Sequence, residues 1–155
     1  MVNMSDILLK TERLTVRPAS DAEMSALVEA ETDAEMRKAY SEMCSLALER
    51  PEERLWYVAW FIERSGVRIG DLCFKGLSPD GRVEIGYGLL PGYFGHGYAT
   101  EAVGAAVSWA KAQSGVTAVE AETEPGNKAS QRVLEKLGFV PTGEYGEEGP
   151  RFILK

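Results

Sequence analysis

The residues richest in chemistry lie between Val83 and Gln113. Val83–Leu90 (VEIGYGLL) predicts a strand, Pro91–Ala99 (PGYFGHGYA) a tight glycine loop, and Thr100–Gln113 (TEAVGAAVSWAKAQ) a helix. A strand that feeds a glycine loop into a helix is suited to holding phosphate. The first helical turn carries amide N–H groups without intrahelical acceptors, at the positive end of the helix dipole. Glycines let a ligand oxygen approach those amides because no Cβ intervenes. These residues point to a phosphorylated ligand. No Gly-Lys-Ser/Thr triplet follows the glycines, as a nucleoside-triphosphate loop requires. A dinucleotide loop needs a small residue three positions after the second glycine, where Thr100 stands, although Glu120 and Glu122 lie near the distance of its acidic partner. A dinucleotide site and a plain turn therefore both stay open on these residues alone.

A second segment, Asn127–Phe139 (NKASQRVLEKLGF), narrows the choice. With the loop, it resembles the GNAT superfamily of N-acetyltransferases, whose loop pattern is Arg/Gln-x-x-Gly-x-Gly/Ala. The matching residues are Phe94, Gly95, His96, Gly97, Tyr98 and Ala99, with Phe94 in place of the usual Arg or Gln. The runs Tyr98–Ala102 (YATEA), NxxSxxVLEKLGF and Thr11–Pro18 (TERLTVRP) are typical of the ribosomal-protein acetyltransferase (RimJ/RimL-like) branch. The resemblance covers nearly the whole chain. It implies a single domain over residues 1–155 of mixed α/β (α+β) class, with a central, mostly antiparallel, splayed sheet flanked by helices. It also implies acetyl-CoA as cosubstrate and acetyl transfer to a primary amine, a protein or peptide N-terminus or a small molecule, by direct attack in a ternary complex.

The bulk numbers agree with a globular domain: 155 residues, 45% hydrophobic and 26% charged. A net charge of −7 argues against nucleic acid as a partner and is compatible with a cationic acceptor, although it also serves solubility. Cys44 and Cys73 form no CxxC pair and read as buried thiols of a reducing compartment, with one disulfide still conceivable. A single histidine makes a His/Cys metal site improbable, so no metal is expected. The N-terminal stretch MVNMSDILLKTERL has no long apolar run, and no segment could span a membrane, so a cytoplasmic protein is expected.

The elements that must position the loop follow from periodicity. Arg13–Arg17 predicts a first strand, and Ala22–Glu31 a helix capped by Ser20-Asp21. Thr32–Arg50 predicts a helical stretch with a break, and Pro51 a short helix or turn. Trp56–Glu63 and Val67–Lys75 predict a hairpin about Ser65-Gly66, and Ser78–Gly81 a turn into the glycine-flanked strand. Thr117–Thr123, Phe139–Tyr145 and Arg151–Leu154 predict strands, and Asn127–Leu137 a helix ended by Gly138. The result is a three-strand antiparallel meander, then helix, strand, helix and closing strands. In the family it resembles, two central strands splay around the cofactor. Gly86 and Gly88 sit where a bulge would open that gap, or where they only relieve twist.

By resemblance, the pyrophosphate rests on backbone N–H groups from Gly95 to Ala99 with the Thr100 hydroxyl nearby, and the backbone of Leu89 holds the pantetheine arm. His96 reads as facing solvent or a phosphate, not as a base. Asn127 serves as N-cap, as a cofactor contact, or as both. Many relatives carry an acidic tyrosine at the position of Leu134; in the ribosomal-protein branch a serine at the position of Ser130 is thought to protonate the thiolate. A small residue admitting the cofactor is the equal alternative for Ser130. Arg132 and Lys136 either meet the 3′-phosphate or are solvated. The base is assigned to Glu84, with a raised pKa expected in a half-buried cleft, or alternatively to Glu122; a salt-bridged strand residue is the competing reading of Glu84. Tyr40, Trp56, Tyr57 and Trp60 either line the acceptor pocket or belong to the core. A non-catalytic acyl-CoA-binding module is the competing function, and a homodimer is compatible with both.

Overall fold

A computed structural model describes residues 7–155, so the start of the N-terminal stretch discussed above lies outside the described residues. Among the described residues eight strands form one sheet: β1 (Leu9–Lys10), β2 (Thr15–Pro18), β3 (Ala59–Arg64), β4 (Val67–Leu77), β5 (Arg82–Leu89), β6 (Ala118–Glu122), β7 (Val140–Tyr145) and β8 (Pro150–Leu154). Their spatial order is β1-β2-β3-β4-β5-β6-β8-β7, and every pairing is antiparallel except β5 with β6. Four α-helices of the described residues flank the sheet: α1 (Asp21–Ala30), α2 (Ala34–Glu49), α3 (Tyr98–Lys111) and α4 (Lys128–Lys136). None of the described helices is long and apolar enough to cross a membrane.

The alternation of side chains along β3 explains why helices cover both faces. Trp60 and Ile62 point into the main core with Leu72, Phe74, Val83 and Ile85, beneath Ala102, Val103 and Ala106 of α3. Ala59 and Phe61 point the other way, into a smaller cluster with Met24 of α1 and Ala47 of α2. The main-core face is closed by small residues on α3, Ala102, Ala106 and Ala110, which let the helix lie close to the sheet. Ser20 caps α1 by a full capping box: its hydroxyl accepts from the Glu23 N–H, and the Glu23 carboxylate accepts from the Ser20 N–H.

Several expectations are corrected. The stretch Thr32–Arg50 holds one unbroken helix, α2, because nothing between Ala34 and Glu49 is a Gly or Pro. The strand expected from Trp56 begins at Ala59, since Pro51–Trp56 forms a 3-10 helix and the Trp60 indole N–H donates to the Leu55 carbonyl at 3.0 Å. The bulge expected at Gly86 or Gly88 lies instead on the neighbouring strand, between Phe74 and Leu77 of β4, where Gly76 takes a φ of 79°. β1 has no counterpart in the predicted elements.

The gap itself needs no bulge in β5. β5 and β6 pair only at Arg82–Ala118, Val83–Val119 and Glu84–Glu120. After Glu84 the two strands part, while β5 stays paired with β4 as far as Leu89. Ile85–Leu89 therefore present an edge with no ladder partner on the β6 side, and α4 stands across the opening.

Candidate active site

The site is built where β5 and β6 part. At the end of β5 the Leu90 N–H donates to the Ile69 carbonyl at 2.7 Å, pinning the strand before the chain turns into the loop. Gly97 is the N-cap of α3 at a φ of 79°, a left-handed conformation that a side chain would oppose. Among the described residues no side chain caps α3, so its first-turn amides at Tyr98, Ala99 and Thr100 stay open toward the cavity that these residues line.

The N-terminal motif holds this loop in place. Glu101, in the first turn of α3, accepts from the Thr11 hydroxyl, from the Arg13 backbone N–H at 2.8 Å and from the Arg13 guanidinium at 2.8 Å. The guanidinium groups of Arg13 and Arg64 lie 4.5 and 5.3 Å from the Tyr98 ring centre. The TERL and YATEA runs thus contact each other across the fold, which is why both accompany the loop.

Two cavities open from the gap. The first, of about 430 Å³, is lined by Leu89, Phe94, Gly95, Gly97, Tyr98, Ala99, Thr100, Asn127 and Ser130. Among the described residues its charged lining is Arg132 and Lys136 of α4, with no carboxylate. His96 is not part of the lining; it is exposed, with its ring 5.5 Å from that of Tyr98. The mostly apolar walls, open amides and two cations suit an extended ligand with an anionic end, as acetyl-CoA is.

The second cavity, of about 460 Å³, lies on the other face of the sheet. Asp71 and Cys73 of β4 pair in register with Phe61 and Ala59, so they share the face of α1 and α2. Among the described residues its lining carries the carboxylates of Asp71, Glu84, Glu122, Glu124 and Glu148 against the single cation Lys75. Tyr87, Gly88, Asn127 and Ser130 line both cavities.

At this shared wall, Asn127 caps α4 by accepting from the Ser130 N–H at 3.0 Å. The Ser130 hydroxyl lies 2.7 Å from the Tyr87 hydroxyl, which is also 3.2 Å from the Ser130 carbonyl. Leu134, one turn on, is wholly buried in the main core and carries no chemistry. Sequence reasoning missed Tyr87, because its place in β5 matched that of the core residues Val83 and Ile85.

The carboxylates behave differently from expectation. Glu84 accepts from Arg151 and from Lys75, each at 2.8 Å. Burial pushes its carboxyl up, but the two cations outweigh burial and hold it below the usual range, the reverse of the raised value expected for a base. Glu122 is likewise engaged, accepting from Arg151 at 2.6 Å and from the Glu148 N–H at 2.7 Å. Arg151 also reaches Glu120 at 2.8 Å, so one guanidinium ties three carboxylates. Asp71 has no hydrogen bond or ion pair to its carboxylate among the described residues, and burial pushes its carboxyl up, against the opposing charge of Arg68. It is the second residue that sequence reasoning missed; a lone Asp after Gly70 in a hairpin strand carries no local signal.

Three of the four aromatic residues fall on the core side of their alternatives; Tyr40 is half-buried and belongs to neither core cluster. Trp56 and Trp60 pack with Phe74 and Trp109 in one cluster, and none of Tyr40, Trp56, Tyr57 or Trp60 lines the acidic cavity. Cys44 and Cys73 are free thiols, both half-buried. Burial pushes the Cys73 thiol up, aided by the charge of Asp71, which disfavours a nucleophilic thiolate.

Comparison with known proteins agrees with this geometry. The family model described as acetyltransferase (GNAT) domain matches residues 13–140. The N-acetyltransferase YoaA of Bacillus subtilis is 27% identical over 149 residues, covering 88% of this chain and 84% of that protein. A solved RimL ribosomal L7/L12 alpha-N-protein acetyltransferase in complex with coenzyme A superposes with a TM-score of 0.74 at 17% identity, covering 96% and 97% of the two chains. The ribosomal-protein-S5-alanine acetyltransferase of Vibrio fischeri gives 0.74 at 18% identity, over 96% and 94%. The chain therefore belongs to the GNAT acetyltransferase family and is an acetyl-CoA-dependent N-acetyltransferase.

Proposed function

We propose that the acceptor is a cationic primary amine that enters through the acidic cavity and attacks directly, with acetyl-CoA held at the same time in the other cavity. The observation that carries this is the shared wall. Two cavities of opposite charge meet at Tyr87, Gly88, Asn127 and Ser130, as a two-substrate transfer without a covalent enzyme intermediate requires.

Acetyl-CoA supplies an activated acetyl thioester. Toward it, the first-turn amides of α3 with Arg132 and Lys136 meet phosphate charge, and the unpaired edge of β5 offers strand-like hydrogen bonds to the pantetheine amides. Ser130 donates its hydroxyl proton to the departing sulfur and takes back the proton that the attacking nitrogen sheds as the tetrahedral intermediate collapses. A thiol of ordinary type has a pKa of about 8.5, so a weak donor suffices. Asp71 accepts the proton of the incoming ammonium, and the acidic lining holds the amine before attack. Glu84 takes a structural part, as an anchor of the Arg151 network. Relatives by fold include an acetyltransferase from Salmonella typhimurium described as modifying the N-terminal serine of 50S ribosomal subunit protein L7/L12. A peptide N-terminus is the acceptor that we favour, because the acidic cavity is large enough for the first residues of a chain.

Thermal stabilisation by acetyl-CoA and CoA, beside ATP and NAD, tests the cofactor side. A ligand at about 100 times its dissociation constant adds roughly 2.7 kcal/mol. Stabilisation by the CoA species alone is expected, followed by thiol release with peptide amines in preference to acidic or neutral acceptors. Tight acetyl-CoA binding with no thiol release across peptides, polyamines and aminoglycosides would make the chain an acyl-CoA sensor instead.

A further inference from the structure

We propose that Tyr87 is a positioning residue for Ser130: its phenol donates to the Ser130 hydroxyl and so directs the serine's own proton into the gap between the cavities. The inference rests on the reading of Ser130 as the donor to the leaving sulfur.

The two oxygens are 2.7 Å apart, the usual separation for a strong hydroxyl–hydroxyl bond. Either could donate. If Ser130 donates to Tyr87, the phenol proton goes to the Ser130 carbonyl at 3.2 Å and the serine has nothing left to offer the cavity. If Tyr87 donates, the serine proton is free to point at a ligand. An anion in the gap selects the second arrangement, since each hydroxyl in such a chain polarises the next toward negative charge. The phenol comes from β5 and the serine from α4, the two elements on either side of the opening, so the bond also fixes the width of the gap where the cavities join. Burial pushes the Tyr87 hydroxyl up, more than its bond to Ser130 draws it down, so the phenol keeps its proton at neutral pH. No proton leaves Tyr87; its part is to orient.

The test uses CoA alone and needs no acceptor. Its affinity is measured by calorimetry from about pH 7 to about pH 9.5, through the thiol's ionisation at about 8.5. Wild-type protein is expected to bind CoA about tenfold more tightly at the high end, since the thiolate accepts a charge-assisted bond from Ser130. Ser130→Ala should flatten that profile, Tyr87→Phe should flatten it nearly as far, and the double variant should go no further. Acetyl-CoA, which has no thiol, should bind all four proteins with the same pH profile and nearly the same affinity. Several results overturn the proposal: a Tyr87→Phe profile as steep as wild type, a flat wild-type profile with CoA still bound, or equal weakening of CoA and acetyl-CoA by Tyr87→Phe at every pH, which is a packing role. Failure of wild-type protein to bind either CoA species defeats the underlying functional reading instead.

Discussion

The two cavities beside Ser130 are similar in size, about 430 and 460 Å³, and opposite in charge. One is lined by apolar groups, helix-terminal amides and the cations Arg132 and Lys136; the other holds five carboxylates and one lysine. The difference arises from strand alternation at a single gap. Along β5, Ile85 and Tyr87 turn toward α3 and α4, while Glu84, Gly86 and Gly88 turn to the opposite face, beside Asp71 and Cys73 of β4. On the proposed reading, one parted strand pair sorts an anionic cosubstrate and a cationic amine to opposite faces and joins them only where the sheet is open.

Breaking the shared wall should have the largest effect. Ser130→Ala is expected to lower kcat roughly a thousandfold while leaving acetyl-CoA affinity nearly unchanged, as steady-state rates beside calorimetry would show. A parallel loss of affinity would mean that the serine is only a cofactor contact.

Next comes the closed half of the β5–β6 pair. Arg151→Met leaves Glu84, Glu120 and Glu122 without their common cation, and their side chains are only 20%, 16% and 8% exposed. Loss of about 3 kcal/mol in urea unfolding is expected. A change below about 0.5 kcal/mol would show that the network is a surface ornament of the fold.

The two candidate bases separate by sign. Asp71 has a raised folded pKa, so its contribution is favourable below its ordinary value of 3.8 and is lost as pH rises through the folded value. Asp71→Asn should therefore raise Tm by a few degrees at about pH 7 while lowering kcat/KM for amines about tenfold. Glu84 has a lowered folded pKa, so its contribution is present above its ordinary value of 4.5 and is lost as pH falls through the folded value. Glu84→Gln should lower Tm at about pH 7 and shrink the loss of stability on acidification, with a smaller change in rate. Thermal melts across pH decide between them, and the opposite pairing of signs would restore Glu84 as the base.

The smallest effect concerns the cationic cavity. Arg132→Ala with Lys136→Ala should weaken acetyl-CoA severalfold and reduce the salt dependence of its binding, without altering preference among amines. Unchanged affinity would leave the two residues as solvated charges on α4.

Much of this is legible in the sequence. Glycines and helix signals placed the loop, α3 and α4, because those depend on local backbone rules; the Asn127 cap and the Gly138 stop follow from the same chemistry. What was not legible depends on distant contacts. That Glu84 is salt-bridged is one of its two readings, but its partner is not legible: Arg151, from the far end of the chain, is brought beside it by the β6–β8 pairing. Tyr87 looks like core until β6 departs after Glu84 and α4 supplies Ser130. Asp71 gains meaning only because β4 sets it opposite Gly88 in the wall of the gap. Thr11 and Arg13 fold onto Glu101, which strand periodicity alone does not foretell.

The central claim is that both substrates occupy the two cavities together. Initial rates measured against acetyl-CoA and against the best amine, each varied at several fixed levels of the other, test it directly. Reciprocal plots that intersect are predicted, since the amine attacks only when both are bound. Parallel plots, with burst release of CoA before amine is added, would contradict the claim and move attention to an acylated side chain such as Cys73.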